Sequence, residues 1–271
     1  MILLLAAILP ALATGDAAAN EAVKLPAPHV EMRPNEASAT TSPWIDANGW
    51  RILRAPGKRY YYDVKGTGAA LAAAEAFAYG ANAVVHTDEN GIPAFNRMLE
   101  FLHDIPDADL PTMANLGVVD DGSQETGELM NLLSRRNLLY KIVTAPDEHL
   151  DLNIQLGSKE YPKSEAADPS FLAHKIRGQL GDEKRLLRVY GSEVVIARLV
   201  GDREHARVHI LNYANRPVVG LRVRVKGTYT HQTVKGFAKP DMKLEDVTVA
   251  DGATEFTVPE MSVYVVVDLA K

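Results

Sequence analysis

Two acidic clusters carry residue types with which a protein does acid–base or electrostatic chemistry. The first is His86-Thr87-Asp88-Glu89-Asn90. The second is Asp120-Asp121-Gly122-Ser123, followed by Glu125. Paired carboxylates at neighbouring strand ends serve as acid and base in glycoside hydrolysis, or hold a hard cation through oxygen ligands. Asp88, Glu89, Asp120 and Asp121 are therefore the candidate catalytic residues. A helix starting at the second cluster favours ionised Asp121 and Glu125, which suits a nucleophile or base better than a proton donor. Capping is the competing account: Asp121 or Ser123 is a good N-cap, and Asp-Gly is ordinary turn chemistry.

His86 and Glu125 flank these carboxylates. Trp44 and Trp50, with Tyr60-Tyr61-Tyr62 nearby, offer faces on which sugar rings stack. Trp44, Trp50, His86 and Glu125 form the candidate substrate-binding set, against the alternative that the rings anchor a core. His205 and His209 are four apart, but in a strand that spacing does not converge on a metal. Arg222, Arg224 and Lys226 form a basic stripe that reads as a solvated strand face or a contact for an anionic polymer. Phosphate-loop, G-x-S-x-G, H-E-x-x-H and kinase signatures are absent, and no cofactor or metal is expected.

The elements that must position these residues fall into two periodicities. Strand-like runs at Tyr60–Val64, Ala83–His86, Leu116–Val119 and Leu139–Val143 alternate with helical patterns at Ala69–Tyr79, Ile92–His103 and Gln124–Asn137. This order predicts right-handed crossovers and a small, mostly parallel α/β domain over residues 44–157. A connecting segment, 158–181, holds a helix at Pro169–Leu180. From 182 to 271 the period becomes two. Leu186–Tyr190, Glu193–Leu199, Arg207–Tyr213, Val218–Lys226, Leu244–Val249, Thr254–Val258 and Ser262–Leu269 predict an antiparallel β-sandwich domain.

Ile2–Ala13 is apolar apart from Pro10, too short to span a bilayer comfortably, and followed by small residues at Ala17, Ala18 and Ala19. It reads as a secretory signal over residues 1–19, although no Lys or Arg precedes it. A secreted or periplasmic chain with no membrane span in its mature form is expected, with a Pro-containing linker over 20–43. The 271 residues carry a net charge of -6 and no cysteine. Thiol catalysis, cysteine-ligated metals and a lipidated N-terminal cysteine are thereby excluded. The mild acidity argues against a nucleic-acid partner.

Ala72–Val84 resembles the last helix–strand unit of the barrel in secreted beta-galactosidase-like glycoside hydrolases. Val208–Tyr213 followed by Val218–Val225 resembles their C-terminal sandwich. The resemblance implies a barrel, a glutamine-amidotransferase-like α/β domain and a small sandwich. A barrel alone takes about 250 residues, so this chain is too short for all three. The catalytic glutamates of that family have no counterpart position here. The expected function is an exported accessory or degenerate glycoside-hydrolase-like protein binding a glycan or protein partner. The alternatives are a small carboxylate-dependent glycoside hydrolase and a structural envelope protein.

Overall fold

The computed structural model describes residues 12–13, 22–31, 43–106 and 110–271. Most of the signal-like run and of the linker lies outside the described residues. Within them, β1 (Leu12–Ala13) pairs in parallel with Ala83–Val84.

The chain continues through β2 (Val23–Leu25), β3 (His29–Glu31), β4 (Trp44–Asp46), α1 (Gly49–Arg54), β5 (Arg59–Val64), α2 (Gly68–Ala78), β6 (Asn82–Thr87) and α3 (Ile92–His103). Next come β7 (Leu116–Val119), α4 (Gln124–Arg135), β8 (Tyr140–Val143), β9 (Leu152–Ile154) and α5 (Pro169–Leu180). Eight strands complete it: β10 (Leu187–Tyr190), β11 (Val195–Gly201), β12 (His205–Asn212), β13 (Val218–Lys226), β14 (His231–Gly236), β15 (Glu245–Ala250), β16 (Ala253–Met261) and β17 (Tyr264–Ala270). The protein is thus mixed α/β, with two parallel sheets and the small antiparallel β3-β4 pair first, and two larger antiparallel sheets after.

Two parallel sheets, ordered β1-β6-β5-β2 and β8-β7-β9, carry the two acidic clusters. In β5 the pattern alternates: Tyr60, Tyr62 and Val64 are buried, while Arg59 and Asp63 are exposed and Tyr61 is half-buried. The buried set packs with α2 and α3, where Ala69–Ala76, Phe95, Met98 and Leu102 join the same core. Alanine gives α2 both high helix propensity and a thin profile, so it lies close against the sheet. Leu116 and Val118 of β7 pack with Leu129, Leu133, Leu172 and Ile176 from α4 and α5.

The C-terminal half forms two four-stranded antiparallel sheets, β10-β13-β16-β15 and β11-β12-β17-β14. Leu221, Val223 and Val225 of β13 share one buried cluster with Val208 and Ile210 of β12. The second sheet also contributes Ile196, Leu211, Tyr213 and Tyr264 to the core around α2. Strand β12 is consequently buried at every position after His205, and its period-two signal is lost. Two members of the basic stripe are paired: Arg222 and Arg224 meet Glu255 across strands at 3.0 and 3.1 Å, while Lys226 is exposed.

Candidate functional site

Parallel strand ends gather ligands in open α/β sheets, and both acidic clusters lie there. Their carboxylates are held by their own surroundings. Oδ1 of Asp88 accepts hydrogen bonds from the backbone N–H groups of Gly66 and Gly91, each at 2.9 Å. These bonds, that of Gly66 foremost, hold its carboxyl below the usual value. Asp88 thereby stitches the loop after β5 to the start of α3. Gly91 is required beside it, because a Cβ there would meet Thr87 Oγ1 at 1.9 Å and the Gly66 carbonyl at 3.0 Å. Glu89 is exposed in the same turn.

Asp120 receives a two-pronged clamp from Arg54 of α1, Nε to Oδ2 at 2.8 Å and Nη2 to Oδ1 at 2.6 Å. The Gly122 N–H adds a third bond at 3.0 Å. The Arg54 guanidinium is the main reason its carboxyl is depressed. Asp121 accepts from the Ser123 hydroxyl at 2.6 Å, the Ser123 N–H at 3.0 Å and the Thr126 hydroxyl at 2.7 Å. Those donors, led by the Ser123 hydroxyl, bring its pKa down to about 2. Ser123 itself caps α4, accepting from the Thr126 N–H at 3.2 Å. Glu125 is exposed in the first turn of that helix.

The clusters end strands of different sheets, Asp88 tied to the loop after β5 and Asp120 to α1. Asp88, Asp120 and Asp121 are all ionised at neutral pH, so none of the three is a proton donor.

The tryptophans belong to packing. Trp50 is 8% exposed, with Arg51 stacked 4.2 Å from its ring centroid. A Cβ on Gly127 would lie 2.9 Å from the same indole. Trp44 is half-buried under the Arg135 guanidinium at 4.1 Å, and its Nε1 donates to Asp46 at 3.1 Å. Arg51 and Arg135 each lie over one of these rings.

The His86 side chain is 47% exposed. It sits on the face of β6 away from the helices, and parallel register sets it opposite Asp63 of β5. Its Nδ1 is 2.9 Å from Asp63 Oδ1. Tyr61, two residues before Asp63 and on the same face, stacks against His86 with centroids 6.4 Å apart and planes 19° from parallel. An aromatic ring, an imidazole and a carboxylate thus share one accessible sheet surface. Asp63 and Tyr61 were legible as outward residues from the alternation in β5. Their meeting with His86 depends on register between strands separated by a helix.

Among the described residues no group of three or more His, Asp or Glu is arranged to hold a metal ion. Among them, too, no helix is long and apolar enough to cross a membrane.

The sequence matches no protein-family model and no curated protein. Its fold is similar to that of alpha-L-fucosidase isoenzyme 2 from Paenibacillus thiaminolyticus, with a TM-score of 0.59 at 8% identity. The alignment covers 82% of this chain and 62% of the fucosidase. A beta-galactosidase from Bacillus circulans sp. alkalophilus aligns with a TM-score of 0.47 and 9% identity, over 74% of this chain and 51% of its own. The chain therefore spans about three fifths and one half of these two structures. The likeness to the fucosidase is one of fold.

Proposed function

We propose that the protein is an exported accessory protein of extracellular carbohydrate metabolism that binds a glycan at the β5–β6 sheet around the exposed Asp63 and His86 side chains. In this reading it corresponds to the later part of a beta-galactosidase-like hydrolase, and its paired antiparallel sheets are the terminal sandwich. The observation that carries the reading is the Tyr61–His86–Asp63 surface. Tyr61 and His86 supply ring surface, and Asp63, the most exposed of the three, supplies a carboxylate that can accept from sugar hydroxyls.

Binding is favoured over hydrolysis because Asp88, Asp120 and Asp121 are stabilised as anions by fixed donors. A glycosidase needs one carboxyl kept protonated to protect its leaving group from departing as an anion. Glycan-array binding by the purified chain, run beside a reducing-sugar assay, tests the proposal. Saturable binding of an oligosaccharide without release of reducing ends is expected. Turnover abolished in a folded Asp120→Asn variant would replace it with the hydrolase reading.

A further inference from the structure

Of the 8 histidines in the chain, His209 alone is buried, and the others are exposed. It lies on β12, and Phe77 of α2 meets its ring steeply inclined, with centroids 6.1 Å apart. Tyr264 of β17 stacks beside it with planes 18° apart, its hydroxyl 2.6 Å from Nδ1. Among the described residues that hydroxyl has no other hydrogen-bond partner, so it gives its proton to Nδ1 of a neutral ring. Phe101 of α3 packs edge-on against the same tyrosine at 6.0 Å. His209 therefore sits in an aromatic seam that joins the helices α2 and α3 to the β11-β12-β17-β14 sheet.

Its nearest charges are cations. Antiparallel register sets Arg198 of β11 opposite His209, and Arg207 lies two residues before it on the same face of β12. Arg198 donates to the carbonyl of Ala78 at the end of α2, and Arg207 donates to the Pro106 carbonyl beyond α3 at 2.8 Å. The two guanidiniums beside the imidazole thus also hold helix ends to the sheet. The other ionisable groups facing the seam are engaged. Asp268 of β17 clamps Arg207 at 2.5 and 3.0 Å, and Lys235 of β14 donates to the Asp104 carbonyl. Glu75, the one charged residue of α2, accepts from Asn48, Tyr62 and Tyr213, while Tyr79 lies 5.2 Å from the Arg198 guanidinium. On α3, Arg97, Glu100 and His103 are exposed. Burial, then the Arg198 and Arg207 charges, push the His209 pKa well below the usual 6.5.

We propose that His209 makes the seam between α2 and the β11-β12-β17-β14 sheet an acid-sensitive latch, closed over a neutral imidazole and released when the opened state takes up a proton. A protonated ring has two N–H donors, so the Tyr264 hydroxyl loses its acceptor. A third cation also joins Arg198 and Arg207 where little water can screen it. In the open seam the imidazole meets water and titrates at its ordinary value. Closure is fully favoured above that value and is lost as pH falls below it. The open population rises by about tenfold per pH unit until the ring protonates in the closed state. Glu75, at the same seam, has the opposite sign. The latch does not depend on the glycan surface.

Hydrogen exchange of the full chain, read by mass spectrometry from about pH 7.5 to 5 and corrected for the intrinsic pH dependence, tests the latch. Peptides of α2 and β12 are expected to open about tenfold more per pH unit below the usual histidine value. Peptides of α4 and α5, which belong to a separate core cluster, should keep their protection. His209→Gln retains an acceptor for the Tyr264 hydroxyl and cannot titrate, so the slope in α2 and β12 should disappear. Nitrogen NMR of the histidine-labelled parent gives a second reading if that variant does not fold: the His209 ring should stay neutral in the closed protein at a pH where the seam opens. Unchanged protection of α2 and β12, equal acceleration in α4 and α5, an undiminished slope in His209→Gln, or a His209 ring titrating at its usual value in the folded parent would each overturn the proposal.

Discussion

The Tyr213 hydroxyl donates a 2.7 Å hydrogen bond to Oε1 of Glu75, a carboxylate with no exposed surface. Glu75 lies mid-way along α2 and Tyr213 follows β12, so the bond joins the two halves of the chain across 138 positions. Three more donors converge on the same group: the Asn48 N–H at 2.7 Å, the Asn48 amide at 3.0 Å and the Tyr62 hydroxyl at 2.9 Å. Asn48 also holds the Pro26 carbonyl at 3.0 Å. A single buried carboxylate therefore ties the start of α1, strand β5 and the C-terminal sheets to α2.

Removing one donor tests this hub. Tyr213→Phe keeps the ring in the core and deletes only the hydroxyl, leaving Glu75 one bond short. Hydrogen bonds to charged groups contribute about 1.5–3 kcal/mol, and a loss of that order in unfolding free energy is expected. Urea denaturation followed by circular dichroism measures it. An unchanged midpoint would show that the hub does not couple the halves.

The pH dependence of the hub has a definite sign. Burial raises the Glu75 pKa above the usual 4.5, outweighing the four hydrogen bonds that lower it. Between these values the native state keeps a proton that the unfolded chain has released. The contribution is therefore fully present below the unfolded pKa and is lost as pH rises through the folded one. Glu75→Gln cannot titrate, so its stability should fall less with rising pH than that of the parent. Asp88, Asp120 and Asp121 have depressed pKa values and give the opposite slope, but they are common to both proteins. Urea midpoints of the pair, measured from about pH 4.5 to 8, isolate the Glu75 part. Parallel curves would contradict the assignment.

Much of this architecture was legible in the sequence, because period and punctuation are local. The helix at Ile92–His103 and the strand at Val218–Lys226 lie where the apolar spacing puts them. Strand β14 was missed: His231–Gly236 is an edge strand, mostly exposed, and its polar residues carry no burial signal. Short α1 was missed because its identity comes from contacts, Trp50 in the core and Arg54 on Asp120, rather than from periodicity. The acidic clusters were correctly placed at strand ends, and of the two candidate N-caps, Asp121 and Ser123, the structure uses Ser123. Asp63 could not be paired with His86 because register is a property of two strands, not of either one.

Glycine positions give a paired test of packing. A Cβ on Gly49 would lie 2.0 Å from Cζ of Tyr79, a ring that is 8% exposed and sits under Arg198. Gly178, inside α5, has nothing within 4 Å of such a Cβ. Gly49→Ala is expected to cost about 1–3 kcal/mol by overpacking. Gly178→Ala should stabilise by about 0.5–1 kcal/mol through helix propensity. Thermal midpoints shifting in the same direction for both would refute the packing argument.

The Arg54–Asp120 clamp predicts a titration shift. Arg54→Met removes the principal cause of the lowered Asp120 pKa, leaving the Gly122 N–H. The Asp120 carboxyl should then titrate closer to 3.8, as read by carbon-detected NMR. Its stabilising contribution is present above the unfolded pKa and lost as pH falls through the folded one, so the variant should lose less stability on acidification. A loss of about 1–3 kcal/mol at neutral pH is expected, because the pair is partly buried and bidentate.

The glycan surface makes the functional prediction. Tyr61 and His86 stack on the β5–β6 sheet, with Asp63 bonded to the imidazole. Tyr61→Ala removes the larger ring and should weaken binding of an oligosaccharide found on the array by about tenfold, the worth of one aromatic contact. Tyr61→Phe keeps the stacking face and should retain most of the affinity. Asp63→Asn preserves shape while removing charge, so a separate loss there would show that the carboxylate meets the ligand directly or orients His86 toward it. Trp50→Phe, altering a ring buried in the core, should affect stability more than affinity. Isothermal titration with the folded variants distinguishes these cases. Equal affinity across Tyr61→Ala, Asp63→Asn and the parent would place the binding surface elsewhere.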